Sequence, residues 1–142
     1  MKSEKKIIII EDDADINNLI AYNLKKEGYA VEQVFDGLEA RNKLRNGQFN
    51  IVILDLMLPG IDGFDICKDF KGSRDFAKTF IIVVSARSDH QDKLYAHLLG
   101  ADYYLTKPFS VLKLISIVKD LEADMEREFE VSGVRNFTRI LP

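Results

Sequence analysis

Groups that could do chemistry stand directly after short apolar runs in this chain. Glu11, Asp12 and Asp13 follow the run Ile7 to Ile10, and Asp55 follows Ile51 to Leu54. Ser85 follows Phe80 to Val84, and Lys107 comes just after the stretch Asp102 to Leu105. Aliphatic runs this short, rich in β-branched residues, suit strands buried on both faces. In a parallel sheet all strands finish at one edge, and ligands bind there. Four segments distant in sequence would thus deliver carboxylates, a hydroxyl and an ammonium to a single place. Carboxylates brought together repel and hold their protons more tightly unless a cation intervenes. A hard divalent ion is the natural partner: Mg²⁺ takes one or two carboxylates, keeps waters, and completes its shell with phosphate oxygens. In that setting an Asp can attack phosphorus and form an aspartyl phosphate. Lys107 would neutralise charge on the phosphoryl oxygens, and Ser85 would donate a hydrogen bond to one of them.

The elements that must position these groups alternate strand and helix. A further strand is expected at 30–35, where Glu32 and Gln33 interrupt the apolar pattern as at a sheet edge. Ile16, Leu19, Ile20 and Leu24 recur at helical spacing, with Gly28 as the stop. Leu38 and Leu44 mark the inner face of a second helix closed by Gly47, and Phe64, Cys67 and Phe70 that of a third, which begins at the turn Asp62-Gly63. A fourth helix takes Ser88 or Asp89 as its N-cap and ends at Gly100, and residues 109–130 read as one long helix after Pro108. Strands alternating with such helices indicate right-handed crossovers and a parallel α/β sheet covered on both faces.

With 142 residues, the chain has the length of one domain with a short appendage. Its 46% apolar and 30% charged residues are ordinary for a globular protein. The net charge of −3 argues against broad electrostatic binding to nucleic acid or acidic membranes. One cysteine, Cys67, excludes an internal disulfide and reads as a small core residue. No apolar stretch is long enough to span a bilayer, and the run after the basic start is too short for an export signal, so a cytoplasmic location is expected.

The stretches "IIIIEDD", "LDLMLPGIDGFDIC", "VVSAR" and "GADYYLTKPF", in this order and spacing, resemble the response-regulator receiver domain, the phosphoacceptor half of two-component signalling. The resemblance covers about residues 5–122 and implies a flavodoxin-like, doubly wound, five-stranded parallel sheet in the order 2-1-3-4-5. Residues 123–142 would be a helical extension and tail, a linker or the start of an output region. By the resemblance Asp55 accepts phosphate from a histidine kinase or phosphotransfer protein. Asp12 and Asp55 ligate Mg²⁺, Glu11 contributes through water, and Met57 supplies its backbone carbonyl. Ser85 is the switch hydroxyl, Lys107 binds the phosphoryl group, and the Lys107-Pro108 bond is cis. Tyr104 is the aromatic switch that turns inward as the hydroxyl moves. Such a domain catalyses only its own phosphorylation and dephosphorylation, and passes the signal to a downstream protein through an altered surface.

Plainer roles are expected elsewhere. Asp13 or Asp15 caps the first helix, Asp62 serves the turn, and Tyr103 faces opposite to Tyr104 at the surface. His90 and His97 have no second histidine or cysteine at ligand spacing, so no metal is assigned to them, while Met57 and Arg87, two residues after Asp55 and Ser85, could shape water access. Lys113, Ile117 and Tyr103 depart from the ion-pair pattern of the winged-helix branch although Lys93 and Asp102 keep it, so that branch's dimer is not expected. Val118, Leu121, Met125 and Phe129 form an apolar stripe that either folds back on the domain or pairs with a second copy's helix as a homodimer. Two other functions compete. A haloacid-dehalogenase-type phosphatase needs a second Asp where Met57 stands. A pseudo-receiver would be a binding module that works without phosphate.

Overall fold

The computed structural model describes residues 4–71 and 79–127. The elements run β1 (Lys6–Ile10), α1 (Ala14–Lys26), β2 (Ala30–Val34), α2 (Gly37–Asn46), β3 (Ile51–Leu54), β4 (Met57–Leu58), β5 (Ile61–Asp62), α3 (Gly63–Lys71), β6 (Phe80–Ser85), α4 (His90–Leu98), β7 (Tyr103–Thr106) and α5 (Val111–Arg127). One five-stranded sheet takes the order β2-β1-β3-β6-β7, parallel throughout. Omitting the small β4–β5 hairpin, this is the order 2-1-3-4-5 that the resemblance implies, and the polar strand β2 lies at an edge.

Alternation along the strands divides the core in two. Ile8, Ile10, Val52, Leu54, Ile81 and Val83 pack with residues of α2, α3 and α4 on one face. Ile7, Ile9, Ile51, Ile53, Phe80 and Ile82 pack with α1 and α5 on the other. Burying each such side chain is worth about 1.5–3 kcal/mol relative to exposure, so both layers are strongly specified. Tyr104 joins the first cluster and Tyr103 the second, opposite faces as expected, although Tyr103 is half-buried against the core and not simply a surface residue.

The helices correct two inward assignments. Leu19 is 49% exposed, because α1 buries Asn17, Ile20, Ala21 and Leu24 in its place. Leu38 is 68% exposed, because α2 turns Gly37, Ala40 and Leu44 inward. A Cβ at Gly37 would lie 2.6 Å from Ile61 Cδ1, so the helix approaches the hairpin too closely for a large residue on that side. The hairpin itself was not read from the sequence. Pro59 and Gly60 take its two central positions, with Gly60 at φ +77°, the positive φ a type II turn requires there.

Asp13 is the N-cap of α1, its carboxylate accepting from the amides of Asp15 and Ile16. Asp89 precedes α4 without a side-chain capping bond. The carboxylate of Asp102 accepts from Ile81 N at 2.9 Å and ties the start of β7 to β6. Along α5, Val118 and Leu121 are fully buried and Met125 packs on the same cluster, so this part of the stripe folds back onto its own domain. Phe129 lies outside the described residues. Leu24→Ala is expected to cost about 2–5 kcal/mol in urea unfolding, whereas Leu38→Ala should stay within about 0.5 kcal/mol; equal losses would contradict the observed facing.

Candidate functional site

Glu11, Asp55 and Lys107 each sit one rung beyond a strand, where the rungs continue to hold them, and Ser85 is the last residue of β6. Glu11 N donates to Val34 O at 3.0 Å, Asp55 N to Ile10 O at 3.0 Å, and Lys107 N to Ser85 O at 2.8 Å. Each main chain is therefore fixed by a neighbouring strand while its side chain leaves the sheet edge. This is why the acids come after the apolar runs without a gap.

Glu11 and Asp55 are buried, at 3% and 5% exposure, and Asp12 is exposed. Ligand oxygens of these three residues lie within 4.8 Å of one another. Lys107 Nζ donates to Asp55 Oδ2 at 2.9 Å and also to Glu11 Oε1, so a single ammonium bridges the two buried acids. Asp55 Oδ1 accepts from Met57 N at 2.9 Å, and Glu11 Oε2 from Asp13 N at 3.2 Å.

Burial is the main reason the Glu11 carboxyl is pushed up to about 7; the Lys107 hydrogen bond opposes it, and the nearby Asp55 raises it further. For Lys107, burial works against the charged form, but its hydrogen bonds to Glu11 and Asp55 prevail and its pKa is raised. Three carboxyl groups thus face one ammonium, a formal excess of acid over base in the pocket. The oxygen-only donors, their close spacing and that excess fit a hard divalent cation. At Met57 the observed contact comes from its amide, and its side chain is 56% exposed.

Ser85 and Tyr104 form an adjoining group that meets at Arg87. Ser85 is fully buried and its Oγ accepts from Arg87 N at 3.2 Å. The half-buried Tyr104 donates its hydroxyl to Arg87 O at 2.7 Å, and burial raises its pKa. The Arg87 guanidinium pairs with Asp92 at 3.0 and 3.2 Å and lies 5.4 Å from the Phe64 ring centroid. Phe64 meets Tyr95 edge-on at 4.8 Å. The Lys107-Pro108 bond is cis.

Sequence reasoning missed Asn17. Its side chain is fully buried, and its Nδ2 donates to Glu11 O at 2.9 Å and Val34 O at 3.0 Å. Between apolar residues of a helical pattern, an Asn reads as part of the solvated face. Only the proximity of Glu11, six residues earlier, hinted otherwise.

A family model for the response regulator receiver domain matches residues 7–119. This chain belongs to that family. Among solved structures it is similar to a CheY-like receiver domain protein of Methanospirillum hungatei JF-1, at 28% identity and TM-score 0.83, with 89% of this chain and 99% of that one covered. The BeF3-activated receiver domain of DrrB is 30% identical, with a TM-score of 0.78 and coverage of 85% and 99%. DrrB of Thermotoga maritima, an OmpR/PhoB homolog, is 31% identical with a TM-score of 0.75; 90% of this chain matches 54% of that one. Receivers are signalling domains of two-component systems that work with histidine kinases or phosphotransfer proteins, and they bind Mg²⁺ at an acidic pocket. Glu11, Asp12 and Asp55 are the acidic group of this receiver that could hold such an ion.

Folded Glu11 keeps its proton to about pH 7 against an ordinary value of 4.5. Between those values the native state binds more protons than the unfolded chain, so stability without metal is expected to fall as pH rises through that window. Asp55→Asn removes a repelling neighbour and should move the Glu11 midpoint down, as read by carbon NMR of the side-chain carboxyl. An unmoved midpoint would contradict the repulsion.

Proposed function

We propose that this receiver accepts a phosphoryl group on Asp55 from the phosphohistidine of a histidine kinase or phosphotransfer protein, in a Mg²⁺-dependent reaction. One observation carries the reading: the Asp55 carboxylate, at the rigid end of a central strand, touches the Lys107 ammonium and lies with Glu11 and Asp12 in a single oxygen cluster. As the Asp55 oxygen–phosphorus bond forms, the phosphorus–nitrogen bond of the donor breaks, and the nitrogen keeps the electron pair. The Met57 amide and Lys107 hold the Asp55 carboxylate in a fixed orientation before reaction. Lys107 then moves from sharing two carboxylates to balancing charge on the transferred group. A bound Mg²⁺, held by Glu11, Asp12, Asp55 and the Met57 carbonyl, would neutralise the acids and polarise the phosphoryl oxygens.

Ser85 and Tyr104 are the proposed switch. A phosphoryl oxygen on Asp55 offers Ser85 a charged acceptor, stronger than a neutral one. When Ser85 turns to it, the Arg87 amide loses its partner, and the Arg87 carbonyl that holds Tyr104 shifts with it. Tyr104 is then free to turn inward and alter the surface read by a downstream protein. We take residues 5–122 as the receiver and 123–142 as its link to an output. A homodimer through that extension would rest on residues past Met125, since Met125 already packs on its own core. No described helix is long and apolar enough to cross a membrane.

Acetyl phosphate or phosphoramidate with Mg²⁺ is expected to add one phosphoryl group, seen by intact-protein mass. The gain should disappear in Asp55→Asn and without Mg²⁺. No gain from several donors would instead indicate a domain that binds partners without phosphate.

A further inference from the structure

The Glu11-Asp12 peptide joins two of the three clustered acids, so its orientation aims both side chains. The amide of Glu11 is held by Val34 O. Its carbonyl, beyond the last β1 residue, is held by the side chain of Asn17 at 2.9 Å, reaching back from the first turns of α1. The same Nδ2 donates to Val34 O at 3.0 Å, so one amide group ties the acid-bearing peptide to the edge strand β2. Two carbonyl acceptors on one side dictate which end of the Asn17 amide is nitrogen, because a carbonyl cannot donate. Asn17 Oδ1 must then face a donor, and Gln33 Nε2 supplies it at 3.1 Å from β2. Gln33 is itself steadied by Asn18 Oδ1 at 2.7 Å.

From this geometry we propose that Asn17 is a positioning residue for the acid pocket, acting through the Glu11-Asp12 peptide and oriented by Gln33. The inference rests on reading Glu11, Asp12 and Asp55 as a divalent-cation site. A simple structural role accounts for it less well. An apolar residue would fill the same buried space, whereas only an amide can donate to both carbonyls and still accept from Gln33. Loss of either partner frees rotation of the Glu11-Asp12 peptide plane and swings both acids together.

The test uses the full chain and reads three quantities: Mg²⁺ affinity from amide shift titration, the urea midpoint without metal, and the linewidth of the Asp12 amide without metal. Asn17→Ala is expected to weaken Mg²⁺ roughly tenfold, the scale of lost outer-shell support, and to broaden the Asp12 amide. Gln33→Leu, at a half-exposed edge position, should weaken Mg²⁺ several-fold with the urea midpoint unmoved. Gln33→Lys restores a donor and should recover the affinity. If Asn17→Ala does not fold, the Gln33 pair decides. Wild-type affinity and a sharp Asp12 amide in Gln33→Leu would overturn the proposal, as would losses that only track instability. If the wild type binds no Mg²⁺, the cation reading fails, and the Asp12 linewidths in the metal-free variants still decide the positioning role.

Discussion

Two buried carboxylates beside a third in one oxygen cluster are the constraint on which the remainder depends. Like charges roughly 4 Å apart at an effective dielectric of 20 repel by about 4 kcal/mol, far more than an exposed ion pair returns. Glu11 and Asp55 can be held together only by backbone that does not yield and by a shared cation. The extended rungs from Val34, Ile10 and Ser85 supply the first, and Lys107 the second. Burial pushes the Glu11 carboxyl up to about 7, with Asp55 adding to the rise, and the hydrogen bond from the shared lysine only partly offsets it. An acidic cluster with one ammonium among three carboxyl groups could hold a divalent cation.

The proposed switch has a contiguous set of contacts leading outward from the pocket. Ser85 and Tyr104 both rest on the main chain of Arg87, one through its amide and one through its carbonyl. The Arg87 side chain in turn grips Asp92 of α4 and the ring of Phe64 of α3. Under the proposed switch, a small movement of one hydroxyl would be felt at two helices. On α4 only Ala96 is buried, while Leu94, Tyr95 and Leu98 stay exposed, so few core contacts resist its displacement.

Much of this was legible in the chain, for physical reasons. Strand ends of a parallel sheet share an edge, so Glu11, Asp12, Asp55, Ser85 and Lys107 could be gathered from the positions just past each apolar run. Five strands covered on both faces leave runs such as Ile7 to Ile10 with no polar interruption. Side-chain facing within helices was less legible. Leu19 and Leu38 match the helical period yet point outward, because Asn17 and Gly37 take the inner positions for reasons set by their tertiary neighbours. Hydrogen bonds between a helix and a distant strand, such as Gln33 to Asn17, leave no periodic trace. The β4–β5 hairpin is too short to register as alternation.

A crystal structure with Mg²⁺ and beryllofluoride, a phosphoryl mimic, tests most directly whether Asp55 is the group that receives phosphate. The expected result is beryllofluoride on a carboxylate oxygen of Asp55, the cation among Glu11, Asp12 and Asp55, and Lys107 Nζ moved from Glu11 to a fluoride. Beryllofluoride on another acid, or a Lys107 bridge left intact with the mimic absent, would contradict it.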